Sequence, residues 1–173
     1  RYHSWGVMAM RADFMTDYIS ERTEDRSVTV AVLDSGVDFT HQYLNGRLLD
    51  NGYDFVNNDS DPTDDYGHGT SVAGIIADYT SGLNVDILPV KVLDENGRGD
   101  SASVASGIYY AIEQGADVIS FSATAAENSY SEPVDEAITA ALEKGIIFVA
   151  AAGNEKEAII LPMQPSGLIT AGL

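Results

Sequence analysis

The stretch Ser27-Val28-Thr29-Val30-Ala31-Val32-Leu33 constrains this chain most, because it is apolar on both faces and rich in β-branched residues. A strand with one wet face would alternate; a run of this kind suits the middle of a parallel sheet covered on both sides. Parallel strands need crossover connections, usually helices, and the rest of the chain has the pattern to supply them. Tyr53 to Val56, Val85 to Leu93, Val118 to Phe121 and Ile146 to Ala151 read as further strands. One helix begins with Asp100 or Ser101 as N-cap, shows Val104, Ile108, Ala111 and Ile112 on one face, and stops at Gly115. The next has Pro133 in its first turn, a stripe of Val134, Ala137, Ile138, Ala141 and Leu142, and a stop at Gly145. Ala111-Ile112-Glu113-Gln114-Gly115 and Ala141-Leu142-Glu143-Lys144-Gly145 thus repeat one unit, a helix feeding a parallel strand. The fold class this implies is α/β, a layered parallel sheet flanked by helices with right-handed crossovers.

No linker divides the 173 residues, so one domain is expected, with residues 1–26 as a wrapping segment and 27–173 as the α/β core. Trp5, Val7, Met8, Met10 and Phe14 are expected to cover a surface ahead of the polar stretch Ser20 to Arg26. The net charge of −18 disfavours nucleic acid and favours cationic partners. No run is long enough to span a bilayer, and Arg1 to Gly6 lacks the charged-then-apolar pattern of a signal peptide. With no cysteine, disulfide and thiol chemistry are excluded.

Three short stretches carry the candidate chemistry. Asp34-Ser35-Gly36 puts a carboxylate at the carboxyl end of the buried strand, where open α/β sheets place their sites; its plain alternative is a turn-forming aspartate. Gly67-His68-Gly69-Thr70 sets an uncrowded histidine where an apolar helix begins, or else a structural histidine. Phe148 to Glu155 runs a strand into Ala152-Gly153-Asn154, leaving an amide that could donate to a developing oxyanion or simply make a turn. A fourth motif, Gly97-Arg98-Gly99-Asp100-Ser101-Ala102, fits a dinucleotide-binding pattern with Asp117 downstream. Its context fails, since Asp94, Glu95 and Asn96 separate the glycines from the strand and Asp117 precedes its own strand.

Taken in order, Asp-Ser-Gly, Gly-His-Gly-Thr and Ala-Ala-Gly-Asn resemble the subtilisin-like serine peptidases over nearly the whole chain. Trp5-Gly6, Pro89 to Leu93 and Pro165 to Gly172 are similar to family positions too. The resemblance implies a peptide-bond hydrolase in which Asp34 orients His68, His68 is general base and then acid, and Asn154 binds the oxyanion. It implies substrate binding at Gly97, Gly99, Ser122, Ala123, Thr124, Ala152 and Gly153, a peptide or protein substrate, and an extracellular or cell-surface location. The nucleophilic serine belongs to a Gly-Thr-Ser segment after the asparagine, so it is expected outside these residues. The chain alone is then expected to be inactive, with the remainder of the domain as a possible second chain. Gly69-Thr70-Ser71 imitates that segment, but Ser71 is expected to be structural. Tyr43 stands where the family has a calcium-binding aspartate, and Asp78 to Asn84 is a shortened calcium loop, so no cofactor and no calcium site are expected. Ser122-Ala123-Thr124-Ala125 replaces a glycine-bearing substrate edge, which keeps open a non-catalytic relative acting as a binding or regulatory module. The acidic excess and Asp100 favour substrates carrying Lys or Arg.

Overall fold

The structure, a computed structural model, describes residues 5–10, 12, 19, 26–123, 131–151 and 168–171. Six parallel strands form one sheet: β1 (Val28–Asp34), β2 (Tyr53–Asp54), β3 (Val85–Lys91), β4 (Val118–Phe121), β5 (Ile147–Ala151) and β6 (Leu168–Ala171), in the spatial order β2-β3-β1-β4-β5-β6. The strand that comes first in the chain therefore lies inside the sheet, between β3 and β4. Its period-two alternation explains why it is apolar throughout. Ala31 and Leu33 join one cluster with Val90, Ile108, Ile119 and Phe148, under helices α3 (Ser101–Glu113) and α4 (Glu132–Glu143). Val30 and Val32 face the other way, toward Ile87, Ala73 and Ala77 under α2 (His68–Tyr79). Helices on both faces leave β1 no wet side.

The two repeated segments close their helices identically. Gly115 N–H donates to Ile112 O (3.1 Å) and Ala116 N–H to Ala111 O (3.0 Å); Gly145 N–H donates to Leu142 O (2.9 Å) and Ile146 N–H to Ala141 O (3.1 Å). Both are Schellman closures, with glycine in the left-handed conformation at φ +73° and +79°. The second closure uses the Ile146 amide, so β5 begins one residue later than the sequence pattern predicts. Other strand ends move for similar reasons. The Asp54 carboxylate accepts from the Val56 and Asn57 amides (2.6 and 2.9 Å), which ends β2 at Asp54. Val92 and Leu93 both donate to Asp34 O (2.8 and 3.1 Å), curling the chain around the tip of β1 and ending β3 at Lys91. Pro89 inside β3 forfeits no ladder bond. Its nitrogen shares an edge with that of Ile87, and this edge is bridged at Leu48 and is not paired again until Tyr53.

The wrapping segment differs from expectation. Helix α1 (Trp5–Ala9) buries Val7, but Trp5, Met8 and Met10 are exposed, Trp5 by 81%. Of the five residues of this helix only Val7 is buried. Phe14 lies outside the described residues.

Candidate active site

β1 delivers Asp34 to the carboxyl edge of the sheet with its carboxylate buried, and α2 starts at His68 directly opposite. This approach depends on Gly69. A Cβ there would lie 2.1 Å from Gly36 O and 3.1 Å from Asp34 Cβ, so only glycine lets the first turn of α2 seat on the end of β1. Gly67 serves differently: at φ +95° it turns the chain into the helix, with open space around it. His68 Nδ1 then lies 2.8 Å from Asp34 Oδ1 and 2.9 Å from Oδ2. A carboxylate only accepts, so Nδ1 carries a proton, and in the neutral imidazole the lone pair is then on Nε2. The histidine side chain is 44% exposed against 1% for the aspartate. This is a buried acceptor holding one edge of an imidazole whose body stays open to an incoming group, the geometry of a general base.

Residues to which the sequence patterns assign no role of their own hold this pair. Ser35 N–H donates to Asp34 Oδ1 (2.8 Å), while its hydroxyl accepts from Gly69 N–H (3.0 Å) and donates to Asp64 Oδ1 (2.8 Å). Asp64 also accepts from the amides of Tyr66 (3.1 Å), Gly67 (2.8 Å) and Thr70 (2.9 Å) and from the Thr70 hydroxyl. The Thr70 hydroxyl in turn accepts from Asp38 N–H (2.9 Å). Burial works to raise the pKa of Asp64. The bonds from Thr70, Gly67 and Ser35 outweigh it, and the net shift is downward. Two adjacent acids ahead of a histidine turn were the available signal.

Ser71 donates its hydroxyl to Gly67 O (2.9 Å), a bond back to the preceding turn. Gly97 and Gly99 pack against the site's own walls: a Cβ on Gly97 would lie 2.7 Å from the Tyr66 ring, and one on Gly99 would lie 2.3 Å from Val92 O. Asp100 caps α3 through Ser103 N–H (2.7 Å), which lowers its pKa. Ser122 and Ala123 follow β4 and are half-buried. Thr124, Ala152, Gly153 and Asn154 lie outside the described residues. Among the described residues no helix is long and apolar enough to cross a membrane, and no three His, Asp or Glu side chains group to hold a metal ion.

Residues 25–172 match the family described as Subtilase family, Peptidase S8. The chain is 42% identical over 148 residues to a thermophilic serine proteinase of Bacillus sp. (strain AK1), covering 80% of this chain and 36% of that protein. It is 41% identical over 145 residues to an intracellular serine protease of Paenibacillus polymyxa, covering 78% and 44%. The crystal structure of a cold adapted subtilisin-like serine proteinase superposes with a TM-score of 0.65 at 39% identity, covering 73% of this chain and 46% of that one. The chain spans less than half the length of each.

Proposed function

The chain belongs to the subtilase family, and from that premise we propose that the protein it forms hydrolyses peptide bonds, with Asp34 and His68 as two members of its catalytic triad. The observation that carries this is the contact of His68 Nδ1 with both oxygens of a buried carboxylate, on a side chain otherwise open to solvent. His68 Nε2 takes the proton of a serine hydroxyl as that oxygen attacks the scissile carbonyl, Asp34 stabilises the imidazolium, and His68 returns the proton to the leaving amine. Asn154 donates to the oxyanion, and Gly97, Gly99, Ser122, Ala123, Thr124, Ala152 and Gly153 line the substrate. By the order of the family's motifs the serine comes from outside these 173 residues and the chain by itself is inactive; the Ser71 hydroxyl, for its part, donates to Gly67 O. The net charge of −18 steers Lys- and Arg-bearing substrates toward the site. An extracellular or cell-surface location is part of the proposal; one relative is named intracellular, so membership alone does not carry it.

The reading also places no calcium at the family position marked by Tyr43 and the loop after α2, where the described residues offer it little. Tyr43 is exposed and offers no carboxylate. Thr80 O and Thr80 Oγ1, just after α2, and Val85 O, at the start of β3, instead accept from the Arg47 guanidinium at 2.8, 3.0 and 3.1 Å.

A fluorophosphonate probe tests the proposal. It should label the full-length protein at a serine beyond Leu173, not label the 173-residue chain, and lose its target on His68→Ala or Asp34→Ala, with kcat reduced by about 10⁴-fold or more. Labelling of Ser71 in the short chain would refute the assignment of the nucleophile. A full-length protein that resists the probe would favour a non-catalytic binding module, the reading suggested by Ser122-Ala123 in place of a glycine-bearing edge.

A further inference from the structure

Behind the His68 turn lies a charge that the proposed reaction does not use. Lys91, the last residue of β3, has a side chain 1% exposed, yet its ammonium is fully partnered. It donates to Asp65 Oδ1 (2.6 Å), Ser35 O (2.7 Å) and Leu93 O (2.8 Å). Two carbonyls alone would leave a buried charge uncompensated; Asp65, 44% exposed, brings the countercharge in from the solvent side. The three acceptors come from three pieces of chain. Ser35 follows the aspartate that faces His68, Leu93 opens the turn after β3, and Asp65 lies three residues before His68. Asp34 and Lys91 are register partners on adjacent strands, so the ammonium sits at the level of the dyad.

The neighbouring acid faces elsewhere. Asp64 bonds the amides of its own turn, the first turn of α2 and the Ser35 hydroxyl. Consecutive carboxylates therefore hold the His68 turn from two sides, Asp64 from the helix and Asp65 from the sheet. The turn needs such anchors, because Gly67 and Gly69 flank the histidine without side chains to pack and the ring itself is partly open.

We propose that Lys91 and Asp65 are positioning residues for His68: the buried ammonium pins the turn at residues 64–67 to the carboxyl edge of the sheet, so that the imidazole rests against Asp34 before substrate arrives. The inference rests on the reading of Asp34 and His68 as the reacting pair.

Proton NMR of the 173-residue chain tests it through the low-field Nδ1 proton of His68, assigned by its loss in His68→Ala. Asp65→Ala and Asp65→Asn should broaden or remove that resonance while the circular dichroism of the fold is unchanged, and Asp65→Glu should retain it. Asp117→Ala, which breaks a more exposed pair with Arg26 at the opposite end of the sheet and the bond from Thr29 N–H, should leave the resonance in place. In the full-length protein Asp65→Asn should lower kcat about ten- to a hundredfold with little change in KM, the scale expected when a reacting group is displaced by an ångström or less. A His68 resonance unmoved by both Asp65→Ala and Asp65→Asn overturns the positioning role. A resonance indifferent to Asp34→Ala overturns instead the pairing of Asp34 with His68, and with it the proposed function.

Discussion

Substituting Gly69 by alanine should be among the most damaging one-methyl changes this chain can undergo. The added Cβ would meet Gly36 O at 2.1 Å, more than an ångström inside contact distance, and the obstacle is backbone, which has no rotamer to yield. The first turn of α2 must lift off the end of β1. That loosens the bond from Gly69 N–H to Ser35 Oγ (3.0 Å) and draws His68 from Asp34. Overpacking of this kind costs about 1–3 kcal/mol, and weakening a buried hydrogen bond adds about 1 kcal/mol. The sum, about 3 kcal/mol, corresponds to a fall in Tm of roughly 6–12 °C for a domain of this size. Gly74, on the same helix, is the internal control: nothing lies within 4 Å of its added Cβ, so Gly74→Ala should stabilise by about 0.5–1 kcal/mol through helix propensity. Urea unfolding of both variants, read as the midpoint at constant m, checks the pair. If Gly69→Ala unfolds at the wild-type midpoint while Gly74→Ala rises, the seating of α2 on β1 is not as described.

Asp64 has a folded pKa below its ordinary value of 3.8, so its contribution to stability is present above that value and is lost as pH falls through the lower folded value; urea midpoints between pH 5 and 2 should fall less steeply in Asp64→Asn than in wild type. Asp100→Ala removes the N-cap of α3 and should cost about 1 kcal/mol at pH 7, a difference that chemical denaturation should find smaller once the carboxylate is protonated. Arg47→Ala strips three bonds from Thr80, just after α2, and the start of β3 and should cost about 2 kcal/mol; calorimetry should show no recovery with added calcium, and no effect of EDTA on the wild-type Tm.

What the sequence reveals here is what local physics dictates. The apolar run of β1 implies burial on both faces because no single-faced strand tolerates it, and the two Ala-Ile/Leu-Glu-x-Gly segments imply equal helix ends because a Schellman closure needs only the residues it contains. The dyad is legible as two separate motifs, each ambiguous alone. Its support is not legible, because the partners of Lys91 are Asp65, 26 residues away, and Ser35, 56 residues away, which only the sheet register brings together. A lone lysine in Leu88-Pro89-Val90-Lys91-Val92-Leu93 still announces that some acid must pair with it. Trp5, Met8 and Met10 carry the opposite lesson: apolar character does not by itself buy burial.

The interior position of β1 has a consequence for how the chain is made. β1 is synthesised before both of its neighbours, and Val30 pairs with Val85-strand residues more than fifty positions later on one side and with Val118 on the other. At about 5–20 residues per second of synthesis, roughly five to twenty seconds separate the emergence of β1 from that of β4. Until β3 emerges an apolar, β-branched ribbon has both hydrogen-bonding edges open, and one edge stays open until β4 follows; loops of this length close slowly. Nascent chains should therefore depend on a holding factor until β4 appears, and ribosome-bound lengths ending before β3, with both edges of β1 open, should be the ones most prone to aggregate on release.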